Sequence, residues 1–155
     1  MGKGNLLKKL YLFKDLSESE LSQVAEIAKD IKFSSGDMVF SEGSAADALY
    51  VVRSGTVKIC QNSDGGDLVE VTRIGAGSHF GEMSFLDGKP RSATAIASGE
   101  VELVALDYKS LSLMMIQHPG MAVHFYRQFA DFLCGRLRAT TNDLSFSRSR
   151  NISHF

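Results

Sequence analysis

The run FGEMSFLDGKPRSATA, residues 80–95, places Glu82 and Arg91 nine residues apart in an otherwise apolar, strand-like part of the chain. Charged side chains are rarely buried unless they are paired, so this pair needs a reason. The run opens at the end of a strand, and Gly81 to Leu86 has the length of a single helical turn, broken by Gly88. The start of such a turn leaves backbone N–H groups unpaired, and these suit an anion. Gly81 lets a ligand approach the backbone closely. Arg91 supplies a fixed cationic fork that matches a phosphate, and Glu82 accepts hydrogen bonds from a sugar hydroxyl. Together these needs describe a ribose carrying a phosphate. The alternative is an internal Glu82–Arg91 salt bridge that fixes a loop.

Other chemistries have weaker support. The run GAGSHFG, residues 75–81, has the wrong glycine spacing for a dinucleotide fingerprint, and no helix of proper length follows it. His79 and Glu82 invite comparison with a metal site, but a metal needs three or four ligands. The remaining histidines, His118, His124 and His154, lie in the C-terminal part of the chain. No nucleophile–base pair stands at a meaningful spacing. The expectation is a binding protein with no metal and no enzymatic activity.

Positioning these side chains is the task of the surrounding elements. Ser17 and Glu20 fit a capping box, and Leu21, Val24, Ala25 and Ala28 then recur at helical spacing. From Ile31, short apolar runs alternate with glycine turns. In TVKIC, residues 56–60, and EVELVAL, residues 100–106, the pattern is two-residue alternation. About seven or eight short strands between Ile31 and Asp107 predict an eight-stranded antiparallel jelly-roll β-barrel with flanking α-helices. After Asp107 the pattern turns helical. YKSLSLMMIQ, residues 108–117, predicts a short helix ended by His118-Pro119-Gly120, with a longer helix from about Met121. On that helix Tyr126, Ala130, Leu133, Leu137, Thr140 and Leu144 are spaced 4, 3, 4, 3, 4, the spacing of a coiled-coil seam. Phe125, Phe129 and Phe132 lie on an adjacent face. Two apolar faces predict one packed on the barrel and one on a second copy; the alternative is a single broad face buried within one monomer. The whole of 1–155 reads as one domain: a helical segment over 1–30, a β-roll over 31–107, helices over 108–145 and a loose polar tail over 146–155.

The bulk composition agrees. At 155 residues, 44% hydrophobic and 23% charged, the chain has the size and apolar content of one soluble domain. A net charge of −1 gives no bias toward nucleic acid or a membrane surface. The N-terminus lacks an apolar signal core, and Gly2 lacks the Ser or Thr of a myristoylation signal. Cys60 and Cys134 form no metal spacing and no disulfide framework, which makes a reducing, cytoplasmic setting the default. A Cys134 bond between two copies is the one disulfide left open.

The pattern Phe-Gly-Glu followed by Pro-Arg-Ser-Ala-Thr resembles the phosphate-binding cassette of the cyclic nucleotide-binding domain family. The glycine-marked stretch SSGDMVFSEGSAADALYVVRSGTVKI upstream is similar to that family's strands, and the likeness runs from about Leu16 to Thr141. The resemblance implies a β-roll, with cassette 80–94, that holds cyclic AMP or cyclic GMP between helices that move on binding. By motif position Glu82 binds the ribose 2′-hydroxyl, Arg91 neutralises the cyclic phosphate, and Ser92 adds a hydroxyl to the phosphate or the base. Backbone near Gly81, Met83, Ser84 and Ala93 completes the cradle. Family members that favour cyclic GMP often carry Thr after the Arg; Ser92 does not settle the base, and cyclic AMP is favoured on the next resemblance. Arg136-Leu137-Arg138-Ala139-Thr140-Thr141 is similar to the end of the dimerisation helix in the bacterial catabolite activator, the cyclic-AMP receptor protein. That implies a helix-borne cation at Arg136, a base contact from Thr140 and a base contact to the other subunit's ligand from Thr141. The alternative is a polar helix end with dipole-matched arginines. Only eleven residues follow Leu144, too few for a helix-turn-helix, so the expectation is a homodimeric sensor without its own DNA-binding domain, acting on an effector protein. A ligand-independent scaffold of the same fold is the alternative function.

Overall fold

A computed structural model describes the backbone of residues 7–153 and the side chains of residues 7–145. The first described residues lead into a single 3-10 turn, Tyr11–Phe13, and then helix α1, Glu18–Ile27. The capping box forms as expected: the Ser17 hydroxyl accepts from the Glu20 N–H at 3.1 Å, and the Glu20 carboxylate accepts from the Ser17 N–H at 2.9 Å. Strand β1, Ala28–Phe33, begins directly after α1, three residues ahead of the expected change at Ile31. There follow β2, Met38–Phe40; β3, Ala48–Asn62; β4, Leu68–Ile74; and β5, His79–Phe80. Helix α2, Met83–Asp87, then precedes β6, Thr94–Asp107; α3, Tyr108–Gln117; and α4, Pro119–Ser153.

The sheet is antiparallel and six-stranded, in the order β1-β6-β3-β4, with β2 on β6 and β5 on β3. The antiparallel, jelly-roll-like sheet with flanking helices is as expected; the strand count and closure are corrected, with six described strands in place of eight and a sheet that is not closed. The difference lies in two glycines that bend strands rather than end them. The runs ALYVV and TVKIC form one 15-residue strand, β3, and TAIA and EVELVAL form one 14-residue strand, β6. The two remain paired through the bend, but their register jumps: Ser54 faces Glu102, whereas Thr56 faces Ser98. Gly55 takes φ +88° there, and a Cβ on it would stand 2.4 Å from the Glu100 carbonyl oxygen. Only glycine accommodates both the positive φ and that approach.

The sheet separates two cores. On one side Leu49, Val51, Val104 and Leu106 meet the helices through Leu21, Val24, Phe125 and Phe129. On the other, Val52, Val57, Ile74, Phe80, Leu103 and their neighbours pack within the roll. Val51 and Val52 point to opposite cores, as the two-residue period of a strand requires. Helix α3 starts where the Asp107 carboxylate accepts from the Ser110 N–H at 2.9 Å, and α4 starts with Pro119 at its first position, where the missing N–H costs nothing. Helix α4 extends as far as Ser153, where a loose tail from 146 is expected. No Pro or Gly follows Gly135 in the described helix, and extending an existing helix adds one hydrogen bond for each residue fixed.

The two expected faces of α4 are both present. Met121, Phe125 and Phe129 are buried against the core. Tyr126 is 51% exposed, Leu137 67% and Leu144 56%; Ala130 and Thr140 are also exposed, and Leu133 is half-buried.

Candidate functional site

Residues 80–95 fold as a strand end, a short helix and a return into a strand. Phe80 in β5 pairs with Tyr50 in β3. Gly81 then turns at φ +83°, where a Cβ would stand 2.9 Å from Arg91 Nη1. Helix α2 closes at Gly88, left-handed at φ 71°, whose N–H reaches the Ser84 carbonyl at 3.0 Å. The returning backbone is fixed by loop 41–44. The Arg91 N–H donates to the Ser44 carbonyl at 2.9 Å, and the Gly43 N–H donates to the Arg91 carbonyl at 2.8 Å. The Glu42 N–H donates to the Thr94 hydroxyl at 2.9 Å.

This frame buries both charges: Glu82 is 3% exposed and Arg91 4%. They are not partners, so the internal salt-bridge reading does not describe the site. Arg91 Nη1 donates to the Gly81 carbonyl at 3.0 Å and to the Tyr108 hydroxyl at 3.1 Å. Nη2 donates to the Ala48 carbonyl at 2.5 Å. The guanidinium lies over the Phe40 ring, 4.0 Å from its centroid, a favourable cation–π placement. The Tyr108 hydroxyl in turn donates to the Gly81 carbonyl. Burial pushes the Tyr108 and Tyr50 phenols above their ordinary value, against the opposing pull of the Arg91 charge.

Two buried groups keep unused capacity. Arg91 Nε has no hydrogen-bond partner. The Glu82 carboxylate accepts no hydrogen bond among the described residues; His79 Nδ1 stands 3.5 Å from its Oε2. A narrow cleft of about 50 Å³ gathers Gly81, Glu82, Met83, Ser84, Arg91, Ser92 and Ala93 with Phe40, Ile59, Phe80 and, from α4, Arg136. A buried guanidinium and a buried carboxylate on one cleft fit a ligand that carries an anion and a hydroxyl.

Residues 30–118 match the cyclic nucleotide-binding domain family. The chain belongs to that family. It is 31% identical over 121 residues to a cAMP-dependent protein kinase regulatory subunit of Blastocladiella emersonii, covering 78% of this chain and 30% of the relative. It is 30% identical over 140 residues to a CRP-like cAMP-activated global transcriptional regulator of Mycobacterium tuberculosis, covering 90% of this chain and 61% of the relative. The chain therefore spans less than two thirds of either relative's length. The catabolite activator protein of Thermus thermophilus superposes with a TM-score of 0.75 at 30% identity, over 88% of this chain and 62% of that one.

Within this cyclic nucleotide-binding domain, eight of the ten expected site residues share the cleft. Thr140 and Thr141 do not. Both are exposed on α4 beyond Arg136, and Thr141 lines a separate surface groove with Leu137, Arg138 and Asn142. Ser92 is exposed, its hydroxyl 3.7 Å from the Met83 sulfur. The domain also uses residues that the sequence reading passed over. Tyr108, Phe40 and Ala48 form the cage around the guanidinium, from 17, 51 and 43 positions away, and no local pattern marks them. Among the described residues no cluster of three or more His, Cys, Asp or Glu could hold a metal. Cys60 and Cys134 are free thiols, and no described helix is long and apolar enough to cross a membrane.

Proposed function

We propose that this domain is a cyclic nucleotide sensor, with cyclic AMP the favoured ligand, that signals through α4 and acts without catalysis of its own. The observation that carries the reading is a buried arginine, Arg91, whose Nε has no partner and a buried carboxylate, Glu82, that accepts no full hydrogen bond, both on one cleft that Arg136 of α4 also lines. In this reading the cyclic phosphate accepts from Arg91, with the hydroxyl of Ser92 and backbone N–H groups around Gly81 and Ser84 completing the cradle. Glu82 accepts from the ribose 2′-hydroxyl. The cAMP in the names of both relatives favours adenine as the base. A base contact from Thr140 to the same subunit's ligand requires α4 to move over the cleft, and one from Thr141 to the other subunit's ligand requires a homodimer along the exposed face of α4. An effector protein then senses the position of α4, in a cytoplasmic setting.

Arg91 explains how occupancy moves the helices. Its Nη groups already hold the Ala48 and Gly81 carbonyls and the Tyr108 hydroxyl, and Tyr108 is the first residue of α3. A phosphate that draws the guanidinium toward the cleft loosens its bond to α3. A ligand shifts such an equilibrium only through its different affinity for the two arrangements, and this exchange of partners supplies that difference. Isothermal titration of the purified domain with cyclic AMP, cyclic GMP and cyclic di-GMP tests the reading. Binding of cyclic AMP with preference over the other two is expected. Absence of binding to all three overturns it.

A further inference from the structure

His79 has no part in that reading, yet its setting demands an explanation. The side chain is fully buried. Its ring lies 4.3 Å from Phe132 and 5.6 Å from Phe129, both on α4, and 6.3 Å from Tyr11, centroid to centroid. Neither ring nitrogen makes a hydrogen bond among the described residues. A buried polar atom left in that condition is unfavourable. A phenylalanine would fill the same aromatic cage without the cost. The polar group within reach of the ring is the Glu82 carboxylate, with Oε2 at 3.5 Å from Nδ1. The other charged or titratable groups at this aromatic cage are already turned elsewhere. The Tyr11 hydroxyl donates to Asp131, and the Arg136 guanidinium sits over Phe132, 5.9 Å from its centroid.

We infer that His79 is a positioning residue for the ribose: it holds the Glu82 carboxylate so that its other oxygen meets the ligand's 2′-hydroxyl. The inference rests on the assignment of Glu82 to the ribose. The backbone of His79 is pinned by its pairing with Val51 in β3, and its ring is pinned by Phe129 and Phe132, so Nδ1 is a fixed point. A carboxylate has two oxygens, and a partner for Oε2 leaves Oε1 oriented into the cleft. Closing the 3.5 Å gap by a few tenths of an ångström makes a full hydrogen bond, and the ligand is what draws Glu82 into that place.

The test compares cyclic AMP with 2′-deoxy cyclic AMP by titration calorimetry on wild type, Glu82→Gln, His79→Phe and His79→Gln. His79→Phe keeps the cage and removes the nitrogen; His79→Gln keeps a donor, and it also carries the comparison should the phenylalanine variant fold poorly. Wild type is expected to prefer cyclic AMP by about tenfold or more, the scale of a hydrogen bond to a charged group. In His79→Phe the preference should fall below about threefold, with affinity for the 2′-deoxy ligand little changed, and His79→Gln should restore part of it. A merely structural role for His79 would weaken both ligands alike. A full ribose preference in both His79 variants overturns the inference while leaving the Glu82 assignment standing. A wild type without ribose preference, or a Glu82→Gln variant that keeps it, overturns the assignment and the inference with it.

Discussion

At the scale of the residue, Arg91 carries two obligations. It is the cation of the proposed phosphate site, and in the structure it is also a structural donor to two carbonyls and a tyrosine. Arg91→Ala should therefore do more than remove a ligand contact. Removing one partner of a buried charge pair costs about 3–5 kcal/mol, which predicts at least a roughly hundredfold loss of cyclic AMP affinity. The same change leaves the Ala48 carbonyl without that donor and empties space beneath Phe40, so the melting temperature should fall too. Calorimetric titration read alongside a circular dichroism melt separates the two effects. Affinity within a factor of three of wild type would remove Arg91 from the phosphate site. The pair Glu82 and Arg91 is legible in the sequence because charge in an apolar setting stands out. The cage is not legible: Tyr108, Phe40 and Ala48 are ordinary residues of a helix start, a short strand and a strand end. Their roles come from tertiary approach to Arg91. His79 stands between these cases, visible as a polar residue beside Phe80 but more easily taken for a metal ligand than for a brace.

At the scale of the element, the helices were more legible than the strands. Caps are local chemistry, and the Ser17–Glu20 box forms as its residues require. Strand ends depend on whether a glycine turns the chain or bends it, and Gly55 bends it because Glu100 lies against it. The sequence holds no sign of that approach, so two long strands look like four short ones. The joint between β6 and α3 offers a direct test of an element boundary. Asp107 caps α3 through the Ser110 N–H at 2.9 Å and the Ser110 hydroxyl at 3.1 Å. The Ser110 hydroxyl is the main cause that holds the Asp107 carboxyl below its ordinary value of 3.8. In the folded state the group therefore stays ionised at a pH where the unfolded chain has already taken up its proton. Its contribution is complete above the unfolded value and is lost as pH falls through the lower folded value. Asp107→Asn keeps a capping oxygen and removes the titration. Its stability should decline less steeply than that of wild type as pH falls below about 3.8, the unfolded reference. Urea melts across that range measure the slopes, and parallel slopes would show that Asp107 contributes nothing to acid sensitivity. At neutral pH the substitution should cost only a few tenths of a kcal/mol, since Asn is about as good a cap as Asp.

At the scale of the whole molecule, the question is what covers the outer face of α4. Its inner face is spent on Met121, Phe125 and Phe129, and the outer face repeats Tyr126, Leu133 and Leu137 at seam spacing. A sustained seam of this kind supercoils with a like partner. The same helix carries Arg136 into the cleft, while Thr140 and Thr141 lie outside it. Leu137→Glu separates these functions, because Leu137 is 67% exposed and belongs to no core within the monomer. The fold and the Arg136 contact should survive. A buried glutamate opposite its own symmetry mate places like charges in a seam that had been apolar, so sedimentation should shift from dimer to monomer. Phosphate and ribose contacts come from the roll and should persist, leaving measurable binding. The cross-subunit base contact should go, and discrimination between cyclic AMP and cyclic GMP should flatten with it. A variant that sediments as a dimer with its base preference intact would mean that the outer face of α4 has another use. The route from the site to an effector would then run through Tyr108 and α3, whose attachment to Arg91 does not depend on a second copy.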